Sequence, residues 1–192
     1  RCNGDDSKRN GRPLRAQGEL RFKGRTRRRN GWCSNVNIND INMANFTIGE
    51  LCASQVAQKK GIDNTPSAMA RVHLTETITL LEAIRAEWAK YCEQYNLGTP
   101  SLIVSSGYRS PELNKAVGGV KNSSHLLGYA ADIVPANGKQ DVFERFMAYV
   151  FARKGYAYDQ IIIEKNKYTR WVHVGYKKPD GSQRRQCFKL KI

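Results

Sequence analysis

Two histidines and one aspartate, set far apart in the chain, limit what this sequence can fold into. His125 lies in the stretch Ser123-Ser124-His125-Leu126-Leu127-Gly128-Tyr129-Ala130-Ala131-Asp132-Ile133, where an aspartate starts a short apolar run. His173 lies well downstream in Arg170-Trp171-Val172-His173-Val174-Gly175-Tyr176, which alternates like a strand. Two imidazoles and one carboxylate form a three-ligand zinc set with the fourth position open to water, the layout of a catalytic centre.

The remaining chain offers one hydrophobic core. At 192 residues it has the length of a single domain with an appendage. Its net charge of +15 is uneven, because residues 1–30 hold eleven Lys/Arg against three Asp/Glu. Such an arm is read as a solvated tail, with nonspecific contact to polyanions as the alternative. Residues 1–42 show neither helical nor strand period and are assigned to a basic, disordered or non-native segment, with residues 43–192 as the folded domain. Met43 is the first methionine and reads as the natural first residue. The five cysteines (Cys2, Cys33, Cys52, Cys92, Cys187) are odd in number and contain no C-x-x-C pair, which fits a reduced intracellular history. No signal-peptide core and no membrane-length apolar run is evident. The expectation is a monomer, made in the cytoplasm and delivered to any outside substrate by another factor.

Helices come first. Thr47 and Glu50 spell a capping box, Phe46 and Leu51 stand at staple positions, and the helix is expected to continue to about Lys60 before Gly61. Thr65-Pro66 predicts the start of a long helix to about Asn96, with Ile84, Trp88, Tyr91, Cys92 and Tyr95 on one face. His73 falls inside it with no chemical partner in sequence. Strands follow at Leu102–Val104, Asp159–Glu164 and Arg170–Tyr176, with a helix through Phe143 and Val150 between the first two. Phe188–Ile192 is expected as an edge strand. Helices followed by strands predict an α+β class with a small antiparallel sheet. Within Arg170–Tyr176, His173 points away from Val172 and Val174, toward a cleft.

The pattern Ser123-x-His125-x-x-Gly128-x-Ala130-x-Asp132, followed by Trp171-Val172-His173-Val174, resembles the zinc D-Ala-D-Ala carboxypeptidase family of peptidoglycan peptidases. That family shares its zinc-site fold with the Hedgehog signalling domain. Similarity extends through Gly61–Pro66 and Ser106-Gly107-Tyr108-Arg109-Ser110-Pro111, so it covers roughly Phe46 to Tyr176. The resemblance implies His125, Asp132 and His173 as zinc ligands. It also implies a glutamate at the end of the strand before the hairpin as general base, a position held here by Glu164, with Asp159 as second choice. Dipeptidase relatives carry that glutamate as E-x-x-H, where this chain has Arg170 instead. Arg109 matches the family arginine and is expected to hold a substrate carboxylate or an oxyanion. Tyr108, Ser123 and Trp171 are expected to line the cleft.

Three functions follow from this reading. The leading one is a zinc peptidase cutting the peptidoglycan stem peptide as carboxypeptidase or endopeptidase, in the manner of a phage or prophage endolysin. The second is a non-catalytic zinc-containing binding module for cell wall or protein. The third makes the basic arm the working part, with the domain as its anchor.

Overall fold

The computed structural model describes residues 45–191. The basic arm and the Met43 start fall outside these residues.

The expected first helix is two helices. Thr47 caps α1 (Ile48–Cys52) by accepting the Glu50 N–H at 3.1 Å, and Phe46 and Leu51 are both buried as staple partners. The helix then stops because its carbonyls are taken. Leu51 C=O accepts the Tyr108 N–H at 2.7 Å, and Cys52 C=O accepts from Asn64 Nδ2 at 2.8 Å. Ser54 recaps α2 (Gln55–Lys60), which ends at Gly61 with φ +63°. The start of the long helix also moves. Asp63 takes the Thr65 N–H in a turn, and Ser67 is the cap of α3 (Ala68–Tyr95), which ends on left-handed Asn96. Pro66 stands before the cap and not at the first helical position.

β1 (Leu102–Ser106) leads to α4 (Pro111–Ala116), which Ser110 caps with proline at its first position. A 3-10 turn, Ser124–Leu127, precedes β2 (Ala130–Pro135). α5 (Gln140–Tyr149) and a second 3-10 turn, Phe151–Arg153, come before β3 (Gln160–Lys165), β4 (Arg170–Gly175) and β5 (Gln186–Lys191). The strand order is β1-β2-β4-β3-β5. The first four strands pair antiparallel, with β2 a strand where the sequence shows only a short apolar run; β5 lies parallel to β3, so the sheet is mixed and not wholly antiparallel as expected. The return from β4 crosses the start of β3, where buried Asp159 binds Arg184 and its carbonyl accepts the Gln186 N–H.

One face of the sheet is core. Ile133, Ile161, Val172 and Val174 are fully buried in one cluster with Leu74, Ile84 and Trp88 of α3 and Phe143 and Phe146 of α5. Trp88 meets Phe143 edge-on at 5.0 Å between ring centres. Burying each such side chain contributes about 1.5–3 kcal/mol, which is what holds α3 and α5 on that face. The register puts Asp132 opposite His173, His173 opposite Ile162, and Trp171 opposite Glu164. Opposed residues share a face, so these five side chains stand together on the other, open face.

Candidate active site

The two sequence-distant segments meet in the middle strands. Asp132 on β2 and His173 on β4 are directly opposed, and the 3-10 turn before β2 drops His125 over them. Gly128 makes that turn possible. Its φ is +80°, and an added Cβ would stand 2.7 Å from the Ala70 carbonyl oxygen.

His125 Nε2 lies 3.2 Å from His173 Nδ1 and 3.3 Å from Asp132 Oδ1, and His173 Nδ1 lies 2.9 Å from the same oxygen. Donors placed 2.0–2.1 Å from a tetrahedral ion stand about 3.3 Å apart, so the triangle has the dimensions of one face of such a tetrahedron. Proton bookkeeping agrees. His125 Nδ1 is 2.7 Å from the Gly107 carbonyl oxygen, which can only accept, so Nδ1 carries the hydrogen and Nε2 presents its lone pair. That lone pair and a carboxylate oxygen then aim at one point with too few protons between them, a defect that a cation removes. Hard oxygen-seeking cations prefer all-oxygen cages, so zinc is the ion this donor set fits.

The surroundings tune the set. Burial lowers the His125 pKa, against the opposing pull of the Asp132 charge, and so favours the neutral ring that a metal ligand must be. Burial works to raise the Asp132 pKa, but His125 and His173 outweigh it and leave the carboxyl far below its usual range. Arg109 Nη2 donates to Asp132 Oδ2 at 2.8 Å, its Nε donates to Ser106 Oγ at 2.9 Å, and its backbone N–H donates to the His125 carbonyl at 3.1 Å. Arg109 is therefore a partner of Asp132, a role its place in the motif did not suggest.

Glu164 is half-buried beside Trp171, one diagonal step from His173, a separation of about 7–8 Å between backbones. Burial raises its pKa; His173 opposes this and the Asp132 charge adds to it. The Trp171 indole N–H also pulls the pKa down from alongside, without reaching full hydrogen-bond geometry. Asp159, the second choice for a base, is not in the site. It is 1% exposed and holds Arg184 through both carboxylate oxygens, at 2.8 and 2.5 Å.

Of the expected cleft residues, Trp171 stands on the open face. Tyr108 is buried, and Ser123 Oγ accepts the His125 N–H at 3.4 Å as a cap. His73 has the partners that its sequence did not reveal: Nδ1 lies 2.8 Å from the Leu127 carbonyl oxygen, and the ring stacks on Tyr129 at 3.9 Å. Ser106 and Gly107 were missed as functional positions, although both sit inside the motif that flagged Arg109. A cleft of about 650 Å³ opens on the β1 side, sharing Ser106 and Arg109 with the site and reaching Ile103, Ser54 and Val56.

An α+β sheet that presents two imidazoles, one carboxylate and an adjacent half-buried glutamate on its open face is a metallohydrolase framework. A family model described as Peptidase M15 matches residues 44–175, and the chain belongs to that peptidase family. It is also 33% identical over 96 residues to the zinc D-Ala-D-Ala carboxypeptidase of Streptomyces albus G, covering 49% of this chain and 32% of that enzyme. The chain thus matches about a third of that relative's length. Among the described residues, no helix is long and apolar enough to cross a membrane.

Proposed function

We propose that this protein hydrolyses a peptide bond in the peptidoglycan stem peptide, with His125 Nε2, Asp132 Oδ1 and His173 Nδ1 as zinc ligands and Glu164 as general base. The observation that carries this reading is the triangle of 2.9–3.3 Å between three lone-pair donors, with Glu164 on the same face. When bound, zinc supplies a Lewis acid that polarises the scissile carbonyl and brings the pKa of coordinated water toward about 7. Glu164 takes the proton that the attacking water gives up and returns it to the leaving amine, a task suited to a carboxyl whose pKa burial has raised. Arg109 fixes Asp132 so that Oδ1 faces the two imidazoles. The family membership supports a peptidase, and the wall enzyme it resembles supports peptidoglycan as the substrate class.

The test is digestion of purified peptidoglycan with zinc-loaded protein, with and without a chelator, followed by mass analysis of released fragments. Chelator-sensitive release of alanine or of stem fragments is expected. Zinc bound at one ion per chain with no fragment released would replace this reading with that of a zinc-containing binding module.

A further inference from the structure

Strand β5 lies beyond residues 44–175, the segment that matches the family model, yet it completes the face on which the site stands. Its register sets Phe188 beside Ile162, the residue opposite His173, and Leu190 beside Glu164. Gln186, Phe188 and Leu190 therefore share the open face, while Cys187, Lys189 and Lys191 take the other. Edge strands usually carry charge where they meet solvent. Here the charge is on the face away from the site, and the apolar side chains lie on the site face, 39% exposed at Phe188 and 43% at Leu190.

Glu164 stands between the donor triangle and β5. A base that passes its proton to the leaving amine must lie on the amine side of the scissile bond. The next surface on that side is the Phe188–Leu190 shelf; the cleft shared with Arg109 is at the opposite edge and is left to the acyl side. From β4 to β5 is two strand spacings, about 10 Å, which an extended peptide covers in about three residues.

We propose that Phe188 and Leu190 are specificity-determining residues, forming an apolar subsite for the leaving fragment. The shelf favours fragments of two or more residues with an aliphatic or aromatic side chain over release of a single small amino acid. This rests on the reading of Glu164 as the base.

The test uses the zinc-loaded full chain and blocked peptides that share the acyl side and bond identified from peptidoglycan digestion. Their leaving fragments are alanine, alanyl-alanine and alanyl-leucine. The expected kcat/KM preference for alanyl-leucine over alanine is about tenfold, falling below about twofold in F188S/L190S and recovering in F188L/L190M. No preference in the native protein, or one that survives F188S/L190S, overturns the subsite. Should no peptide be cleaved, backbone amide shifts of isotope-labelled protein decide the question separately. Shifts at 186–191 with alanyl-leucine keep the subsite while the hydrolytic reading fails, and their absence removes the subsite too. Self-association that F188S/L190S abolishes would make this face a contact between copies and also overturn the proposal.

Discussion

Arg109 Nη2 donates to Asp132 Oδ2 at 2.8 Å, which divides the work of that carboxylate between its two oxygens. Oδ2 is held by the guanidinium, and Oδ1 faces His125 and His173. The side chains of Arg109 and Asp132 are 17% and 8% exposed, so the pair is shielded from the screening that weakens surface ion pairs. Replacing Arg109 with methionine should therefore weaken zinc binding about 10–100-fold, the usual effect of removing a group that orients a ligand. Competition with a chromophoric chelator measures it. Unchanged zinc affinity with lost turnover would instead return Arg109 to the substrate-binding role that its motif implies.

Gly107 supplies the acceptor that fixes the His125 tautomer, and it does so from a cramped position. A Cβ there would lie 2.1 Å from the Leu51 carbonyl oxygen and 2.8 Å from that residue's Cα. That contact is with backbone and has no easy escape, so G107A must push α1 away from the loop. A stability loss of about 1–3 kcal/mol is expected, as for overpacking of a dense interior. Zinc affinity should fall with it, because the carbonyl moves with the loop. Thermal unfolding with and without zinc reads both, and a variant as stable as the parent in each state would show that the loop adapts freely.

Local rules made much of this legible in the sequence. Thr47 and Ser110 cap their helices as their residue types predict, and the 2-residue period of Arg170–Tyr176 placed His173 opposite the buried valines. Misreadings arise where a distant group decides. Nothing in residues 46–60 says that Tyr108 and Asn64 will claim the carbonyls of Leu51 and Cys52 and split a helix there. Glu164 is singled out by the resemblance to the zinc carboxypeptidases, and the hairpin sets it opposite Trp171; Asp159, the alternative, is held by Arg184, twenty-five residues further along the chain. The parallel β5 follows a return segment tied to Asp159 by Arg184 and by the Gln186 N–H, contacts that no pattern within 186–191 announces.

Glu164 is tested by an isosteric change. In E164Q the side chain keeps its shape but cannot accept a proton, so kcat should fall by about 10²–10⁴ while zinc stays bound at one ion per chain. Because burial raises the Glu164 pKa, the acid limb of kcat/KM in the parent should lie above the ordinary glutamate value of about 4.3. Activity is expected to be lost as pH falls through that limb, since only the ionised form accepts the proton. Full activity in E164Q would remove Glu164 from the chemistry.

The Asp159–Arg184 pair should give the fold an acid-sensitive hinge at β5. Burial works to raise the Asp159 pKa, but hydrogen bonds from the Arg184 side chain and backbone outweigh it and hold the pKa below the ordinary value. A depressed folded-state pKa stabilises the fold above the unfolded value of about 3.9, and the benefit is lost as pH falls through the folded value. Arg184 keeps 39% of its side chain exposed and can rehydrate when its partner is removed, so D159N should cost only about 1–2 kcal/mol at pH 6. Urea unfolding of parent and D159N at pH 6 and pH 3 tests the sign, because the gap between the two proteins must narrow at the lower pH. The same substitution loosens the anchor of the return segment, where Asp159 also accepts the Arg184 N–H at 2.9 Å. Hydrogen exchange at 186–191 should therefore quicken in D159N before the amides of β2 and β4 respond. Uniform quickening across all five strands would mean that β5 unfolds only with the whole sheet.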